Sequence, residues 1–295
     1  MAKFAEEDLP LLRAARGEAP ELKPVSVRPP LGVYLRQLWR RRHFIRMQAW
    51  ALALNQHQGT LLGNLWLIVG PVLDGMVYFF IFGFLFPRGG VENFFGYIVI
   101  GIFLFSFTAR CLTGCTKTID SSRSLIRAFT FPRAALPIAV VAREVIAMLP
   151  VLYAMVILLL VVPPKAELSF LWMLVPVVLI LQAVFNLGIG FFMARLGARL
   201  PDIQHVIPYA VRFMMYGSAV IFTIDRFANF PTMQAIIMNS PTFLALDMTR
   251  KLMLWGELPT FDQWWKMAAW AFGLLVVGFL FFWQAEVRYA RRAHE

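Results

Sequence analysis

The chain has 295 residues, 59% hydrophobic and 15% charged, with a formal net charge of +11 and a mean hydropathy of +0.66. Soluble domains carry about 25% charged residues, so this composition excludes an ordinary soluble domain, and the basic balance reads as cytoplasmic loops beside membrane spans rather than as a nucleic-acid surface. Apolar runs of about 20 residues and more, without the alternation of a barrel strand, predict an all-α membrane protein.

Residues 1–30 come first. Glu6, Glu7 and Asp8 stand where a secretory signal would be apolar, and Pro10, Pro20, Pro24, Pro29 and Pro30 predict a disordered cytoplasmic tail. Residues 31–57 follow. Leu31, Tyr34, Leu35, Leu38 and Trp39 share one helical face, with Arg36, Arg40 and Arg41 opposite. This predicts an amphipathic helix along the cytoplasmic interface, either a lipid anchor or a docking surface for a cytoplasmic partner.

Residues 58–286 hold six predicted spans: Leu61–Phe86, Phe94–Lys117, Ala135–Val162, Phe170–Leu196, Val206–Ile224 and Trp264–Trp283. Ten Lys and Arg residues lie before Thr60. Lys117, Arg123, Arg127 and Arg133 follow the second span, Arg199 the fourth, and Arg288, Arg291 and Arg292 the sixth. The first two loops on the other side carry only Arg88 and Lys165, although the fifth loop adds Arg226, Arg250, Lys251 and Lys266. The sum predicts both termini in the cytoplasm, with 287–295 as a short tail.

Between the second and third spans the sequence reads IDSSRSLIRAFTFPR. Ser121 or Ser122 caps a short helix there, Pro132 bounds it, and Leu125, Ile126 and Phe129 give it an apolar face. The fifth loop, Arg226 to Gln263, contains the apolar runs Met233–Met238 and Phe243–Leu254. They are too short to span and are broken at Pro231, Pro241 and Pro259, which predicts re-entrant helices.

Ionisable residues inside the spans are Asp74, Arg110, Arg143, Glu144 and Arg212. Each is costly in hydrocarbon unless paired or facing a cavity. Pairing between helices is the preferred reading, with contact to an anionic substrate by Arg110 or Arg212, or proton coupling by Asp74 or Glu144, as alternatives. Aromatic residues crowd the same spans: Tyr78, Phe79, Phe82 and Phe86 in the first, Phe103 and Phe107 in the second, Phe213 and Tyr216 in the fifth. Packing explains most such rings, but rings along a channel also stack on sugars. With Arg110 and Arg212 these are the candidate channel-lining residues.

No phosphate-binding G-x-x-x-x-G-K-[ST] loop, HExxH, CxxC or G-x-S-x-G motif occurs. His43, His57, His205 and His294 are too scattered for a metal site, and Cys111 and Cys115, four apart in the second span, read as packing. A self-contained ATPase or a metal hydrolase is thereby disfavoured.

Four segments together resemble the ABC-2-type membrane subunits of polysaccharide exporters, the Wzm-type permeases for O-antigen, capsule, teichoic acid or cell-wall galactan. Gln58–Pro71 (QGTLLGNLWLIVGP) is similar to the family's LG-x-L-W…P opening of the first span. Leu125–Pro137 (LIRAFTFPRAALP) resembles its coupling loop, and Arg199–Pro208 (RLPDIQHVIP) the loop before its fifth span. Asn239–Arg250 (NSPTFLALDMTR) resembles its extracellular N-P…R segment, with Ser240 interposed before Pro241. Ala53–Gly59 is less basic than the family's stretch there. The long tail and the WRRRHF stretch resemble the galactan-exporting branch most.

The resemblance implies a homodimer around a channel, with two copies of a separate cytoplasmic ABC ATPase docked beneath. The ATPase binds ATP and Mg; this chain holds no cofactor and is not itself an enzyme. Leu125, Ile126, Arg127, Phe129, Phe131, Pro132 and Arg133 would form the coupling helix and its flank. The cargo would be a polysaccharide on a polyprenyl diphosphate, crossing the inner membrane, its head met near Trp39, Arg40, Arg41 and Arg42. The alternatives are an ABC-2 exporter of drugs or small lipids, a polyprenyl-lipid transferase, for which the cytoplasmic loops offer only Asp120 and Asp202, and a secondary transporter, which calls for inverted repeats.

Overall fold

The structure, a computed structural model, describes residues 29–54, 61–66, 68–70, 72–73, 76–77, 80, 93–129, 131–163, 166–286 and 289. Nearly all of the predicted N-terminal tail, much of the first span with Asp74, Tyr78, Phe79, Phe82 and Phe86, and almost all of the C-terminal tail lie outside the described residues. Among the described residues every regular element is helical.

Two helices, α1 (Leu31–Arg40) and α2 (Arg42–Leu54), stand where one amphipathic helix was expected over 31–57. The break falls at Arg41. Its N–H is shared between the carbonyls of Gln37 and Leu38, both at 3.1 Å, and its φ of −88° with ψ of 10° ends the first helix.

Among the described residues, four elements are long and apolar enough to cross a membrane. They are α3 (Phe94–Ser121), then, after the short α4 (Arg123–Ala128), α5 (Ala135–Val161), and α6 (Val175–Arg199) with its leading 3-10 turn Phe170–Leu174. The last is α10 (Phe261–Gln284). They match the second, third, fourth and sixth predicted spans. Local chemistry sets their starts: the Asn93 side chain accepts the Gly96 N–H at 2.9 Å, and Thr260 with Gln263 forms a capping box before α10.

The predicted fifth span, Val206–Ile224, is not one helix. α7 (Ile203–Gly217) has 15 residues, about 22 Å of rise against the roughly 30 Å of a hydrocarbon core. It stops because Ala219 turns to φ 50° and the following carbonyls bond to other side chains. The two short helices expected in the fifth loop are α8 (Pro231–Met238) and α9 (Pro241–Arg250), the latter continued by a π-helical turn, Lys251–Trp255. Pro241 opens α9 and Ser240 caps it, accepting the Phe243 N–H at 3.3 Å.

α3 is the most enclosed long helix, packed against α5, α6, α7 and α9, while α2 lies along α5. α6 and α10 meet backbone to backbone: a Cβ on Gly188 would lie 2.6 Å from the Leu274 carbonyl carbon and the Leu275 nitrogen. Small residues at such crossings permit close approach where no hydrophobic drive separates helix from lipid. Cys111 and Cys115 are buried, free thiols on α3.

Candidate functional site

The α4 loop splits its apolar residues between inside and outside. Ile126 is buried and Leu125 half-buried. The helix ends at Phe129, whose φ of −136° and ψ of 141° are extended. Phe129 was expected on the same face as Leu125 and Ile126, but this extended backbone leaves it 63% exposed. Phe131 takes the inner place, its ring centroid 5.4 Å from that of Phe44 on α2. Pro132 is buried and Arg127 exposed. Arg41, Phe44, Ala128, Phe129 and Phe131 line a cavity of about 410 Å³ between the α1–α2 junction and this loop.

Directly behind lies a buried polar node. The N-cap of α5, Ala134, has no capping side chain of its own. Residues far away in sequence supply the acceptors instead. The Arg133 N–H donates to Glu286 Oε1 at 3.0 Å, the Ala134 N–H to the Tyr34 hydroxyl at 3.0 Å, and that hydroxyl to Glu286 Oε2 at 2.8 Å. The Arg133 guanidinium adds an ion pair to Oε1 at 3.4 Å. Tyr34 is 1% and Glu286 3% exposed. Burial pushes the Tyr34 hydroxyl well above its usual range, and the neighbouring carboxylate adds to it. Burial also raises Glu286, against the pull of its bonds from Arg133 and Tyr34. Sequence reasoning missed Glu286 and placed Tyr34 on the apolar face of an amphipathic helix, offered either to lipid or to a cytoplasmic partner. The available signal was an acid just past the last apolar span.

The interfacial residues sit close by. Trp39, Arg40, Arg41 and Arg42 are all exposed, and the Arg42 guanidinium carbon lies 5.3 Å from the Trp39 ring centroid. A groove of about 910 Å³ runs between α1, α2 and α5, apolar along Leu35, Trp50 and Ile138 and bordered by Arg42 and Arg46.

Of the predicted span charges among the described residues, Arg110, Arg143 and Glu144 pair. Glu144 is wholly buried, accepts from Arg110 Nε at 2.9 Å through Oε2 and from Arg143 Nε at 2.8 Å through Oε1. Arg110 also donates to Ser106 Oγ at 3.1 Å. Of the channel candidates, Phe103 and Phe107 are packed in the chain's own core. Phe213 and Tyr216 are 85% and 46% exposed. With Val206 and Tyr209 they form a stripe along α7, with Arg212, also exposed, beside it.

A second buried node lies at the other end of α3. Arg250, 1% exposed, donates to Tyr97 O at 3.1 Å, Ala219 O at 3.0 Å and Val220 O at 2.9 Å. Its guanidinium carbon stands 3.4 Å from the Tyr97 ring centroid. The Tyr97 hydroxyl reaches Ala219 O and Phe222 O, each at 3.1 Å. Among the described residues Arg250 makes no direct ion pair; carbonyl dipoles and a ring face carry most of its charge, with the Asp247 carboxylate farther off adding to them. Gly101 makes room, since a Cβ there would lie 2.5 Å from Arg250 Nη2 and 2.6 Å from Val220 O. In the sequence Arg250 stood as a loop charge and as the last letter of a motif.

No family model matches the chain. It is similar to the O-antigen export system permease protein RfbA of Klebsiella pneumoniae, 25% identical over 170 residues, which cover 58% of this chain and 65% of that protein. It is also similar to the protein of the same name from Myxococcus xanthus, 21% identical over 216 residues, which cover 72% of this chain and 81% of that one. The match thus spans just under two thirds of the Klebsiella permease, 65% of its length. The chain is a distant homologue of these permeases.

Proposed function

We propose that this chain is the channel-forming membrane subunit of an ATP-driven exporter that carries a polyprenyl-diphosphate-linked polysaccharide out of the cytoplasm across the inner membrane. The observation that carries the reading is its homology to two O-antigen export system permease proteins over 58% and 72% of its length. Two copies pair and two copies of a cytoplasmic ABC ATPase dock at the α4 end. The four long helices cross the bilayer with the predicted first span, and α7, too short to cross alone, completes a sixth crossing with the turns that follow it; both termini lie in the cytoplasm, and α8 and α9 re-enter from the far side. The chain is not catalytic; ATP and Mg belong to the ATPase.

Each part of the site has a task in this reading. The exposed Phe129 and Arg127 meet the ATPase, whose closure on ATP pushes α4. Arg42, Arg46 and Trp39 border the groove beside α5 and attract the diphosphate, a fit for guanidinium chemistry. The α7 stripe of Tyr209, Phe213 and Tyr216 faces the channel, where ring faces let a glycan slide without a tight site. Glu144 neutralises one of its two arginines, so the Arg110–Glu144–Arg143 group keeps one net positive charge.

Affinity purification of the chain from its native membrane, with mass spectrometry of proteins and lipids together, tests the proposal. A P-loop ATPase in equal amount is the expected result, and a co-eluting lipid-linked glycan identifies the cargo. A chain recovered without any ATPase would refute it and favour the transferase or secondary-transporter alternatives.

A further inference from the structure

Tyr34, Arg133 and Glu286 come from three distant parts of the chain and meet in one fully satisfied polar node. α1 contributes Tyr34. The loop just after α4 contributes Arg133 and the Ala134 N–H. The end of the last long helix contributes Glu286. Around it, Tyr34 packs on Phe279 of α10 with ring centroids 6.1 Å apart, and Phe279 packs on Phe191 of α6 at 5.5 Å.

The donor count explains why a carboxylate stands here. The Tyr34 hydroxyl already accepts from Ala134, so its single proton goes to Glu286. Arg133 offers its N–H and its guanidinium to the same carboxylate. All the donors point inward, and only an acceptor-only group satisfies them; an ionised Glu is one, whereas Gln brings two further N–H donors. The node also sits at the start of α5, where the helix dipole favours a negative charge. Tyr34 and Glu286 are buried while the Arg133 side chain reaches the edge of the node, so losing Glu286 orphans the buried Tyr34 hydroxyl rather than exposing it to water.

We infer that this node is the joint that clamps the α4 loop to α1 and to the end of α10, with Glu286 as its positioning residue, so that a push on α4 moves all three elements together. The inference rests on the exporter reading for the source of the push, but the clamp itself is a property of this chain. Glu286 touches neither the ATPase nor cargo; it acts through Arg133 and Tyr34.

The test uses the full chain in lipid nanodiscs, alone and with its co-purified ATPase. Gln37 and Ser124 are exposed, on α1 and α4, and the two native thiols are buried. Spin labels on Gln37→Cys and Ser124→Cys therefore read the distance across the joint. A single narrow distribution is expected, broadened by Glu286→Gln and by Tyr34→Phe, with Glu286→Asp between. In cells, Glu286→Gln and Tyr34→Phe should lower surface polysaccharide about tenfold, the factor that one lost buried hydrogen bond is worth. ATP hydrolysis by the purified complex should stay within about twofold of normal, less than the effect of such a bond on a step that needs it. Tyr34→Phe keeps the ring and the test alive should Glu286→Gln fail to fold. An unchanged distance distribution in either variant overturns the clamp, whatever the chain exports. A broadened distribution with normal export, or export and hydrolysis falling in parallel, overturns its part in transmission. A wild-type chain that brings down no ATPase overturns the exporter reading and the transmission role with it, while the label distances still report the clamp.

Discussion

Replacing Arg250 tests whether a buried cation can staple a broken helix without a direct ion pair. Four hydrogen bonds run from its guanidinium to the Tyr97, Ala219 and Val220 carbonyls, at 2.9 to 3.3 Å. Charged hydrogen bonds contribute about 1.5–3 kcal/mol each, so the set amounts to roughly 6–12 kcal/mol, against a desolvation penalty of several kcal/mol for the ion. Arg250→Met removes both terms. Ala219 O keeps the Tyr97 hydroxyl and Tyr97 O keeps its helical partner, so Val220 O is the acceptor left without a donor. The net loss is about 3 kcal/mol, which for a chain of this size lowers the melting temperature by roughly 5 °C. Arg250→Lys should do no better. It retains the desolvation penalty, yet its ammonium cannot span Tyr97 O and Val220 O as the planar fork does. Thermal melts of the detergent-purified protein, followed by size exclusion, read both variants. A lysine variant melting with wild type would show that charge alone serves the site. A methionine variant melting at or above wild type would show that desolvation outweighs the bonds, and the staple argument would fail.

Glu144→Gln leaves Arg110 and Arg143 sharing a neutral group in a buried place and should cost about 3–5 kcal/mol, read as loss of the monodisperse peak in detergent; Arg110→Gln should cost less, because Arg143 still holds the carboxylate. Gly188→Val should separate α6 from α10, whose backbone leaves 2.6 Å for the new carbon, whereas Gly273→Ala, with nothing within 4 Å, should raise stability by about 0.5–1 kcal/mol; equal melts for the two would contradict the close crossing. Phe129→Ala, at a ring 63% exposed, should leave the fold intact and uncouple ATP hydrolysis from export, as should Arg127→Ala; normal export by both removes the α4 loop from the mechanism. The raised Glu286 pKa means that the folded state takes up this proton before the unfolded chain does. Facing Tyr34 and Arg133 among the described residues, Glu286 should therefore add stability as pH falls through its folded pKa toward the ordinary glutamate range, and that gain is lost as pH rises again. The melting temperature of wild type relative to Glu286→Gln should accordingly rise on acidification; a gap independent of pH refutes the assignment.

Much of the architecture was legible because hydrophobic length and punctuation are local. Phe94 to Lys117 reads as a span from composition, and the helix over Phe94–Ser121 contains it. Pro231, Pro241 and Pro259 marked the short helices of the fifth loop correctly, because proline acts on its own neighbourhood. The end of α7 was not legible. Ala219 adopts φ 50° only because Arg250 and Tyr97, 31 and 122 residues away, hold its carbonyl, and no window of sequence contains that reason. Phe129 misled for a related cause: helical spacing put it on the face with Ile126, but the helix ended at that residue. Tyr34 has the spacing of a lipid-facing residue and the burial of a core one, since a hydroxyl seeks a partner that composition does not reveal. Among the channel candidates, Phe103 and Phe213 are both rings in apolar spans; which is core and which is surface depends on the neighbouring helices.

α7 is pinned to α3 at both ends, and the two pins differ in strength. Near its start, Gln204 Nε2 donates to Asp120 Oδ2 at 2.7 Å, a half-buried contact at the α4 end of α3. Just beyond its end, Tyr97 and Arg250 hold the carbonyls of 219, 220 and 222 in a dry site. Between the pins lies the exposed stripe of Tyr209, Phe213 and Tyr216. α3 has 28 residues, about 42 Å of rise, so the pins sit far apart on one stiff strut. Water can replace the Asp120 contact at small cost, but it cannot reach the Arg250 site. Displacing α7 therefore breaks the Gln204 end first and pivots about the Arg250 end. In the exporter reading, that makes the Asp120 end, next to α4, the place where a push on the loop would change the position of the aromatic stripe, and the Arg250 node the fixed point against which it would move.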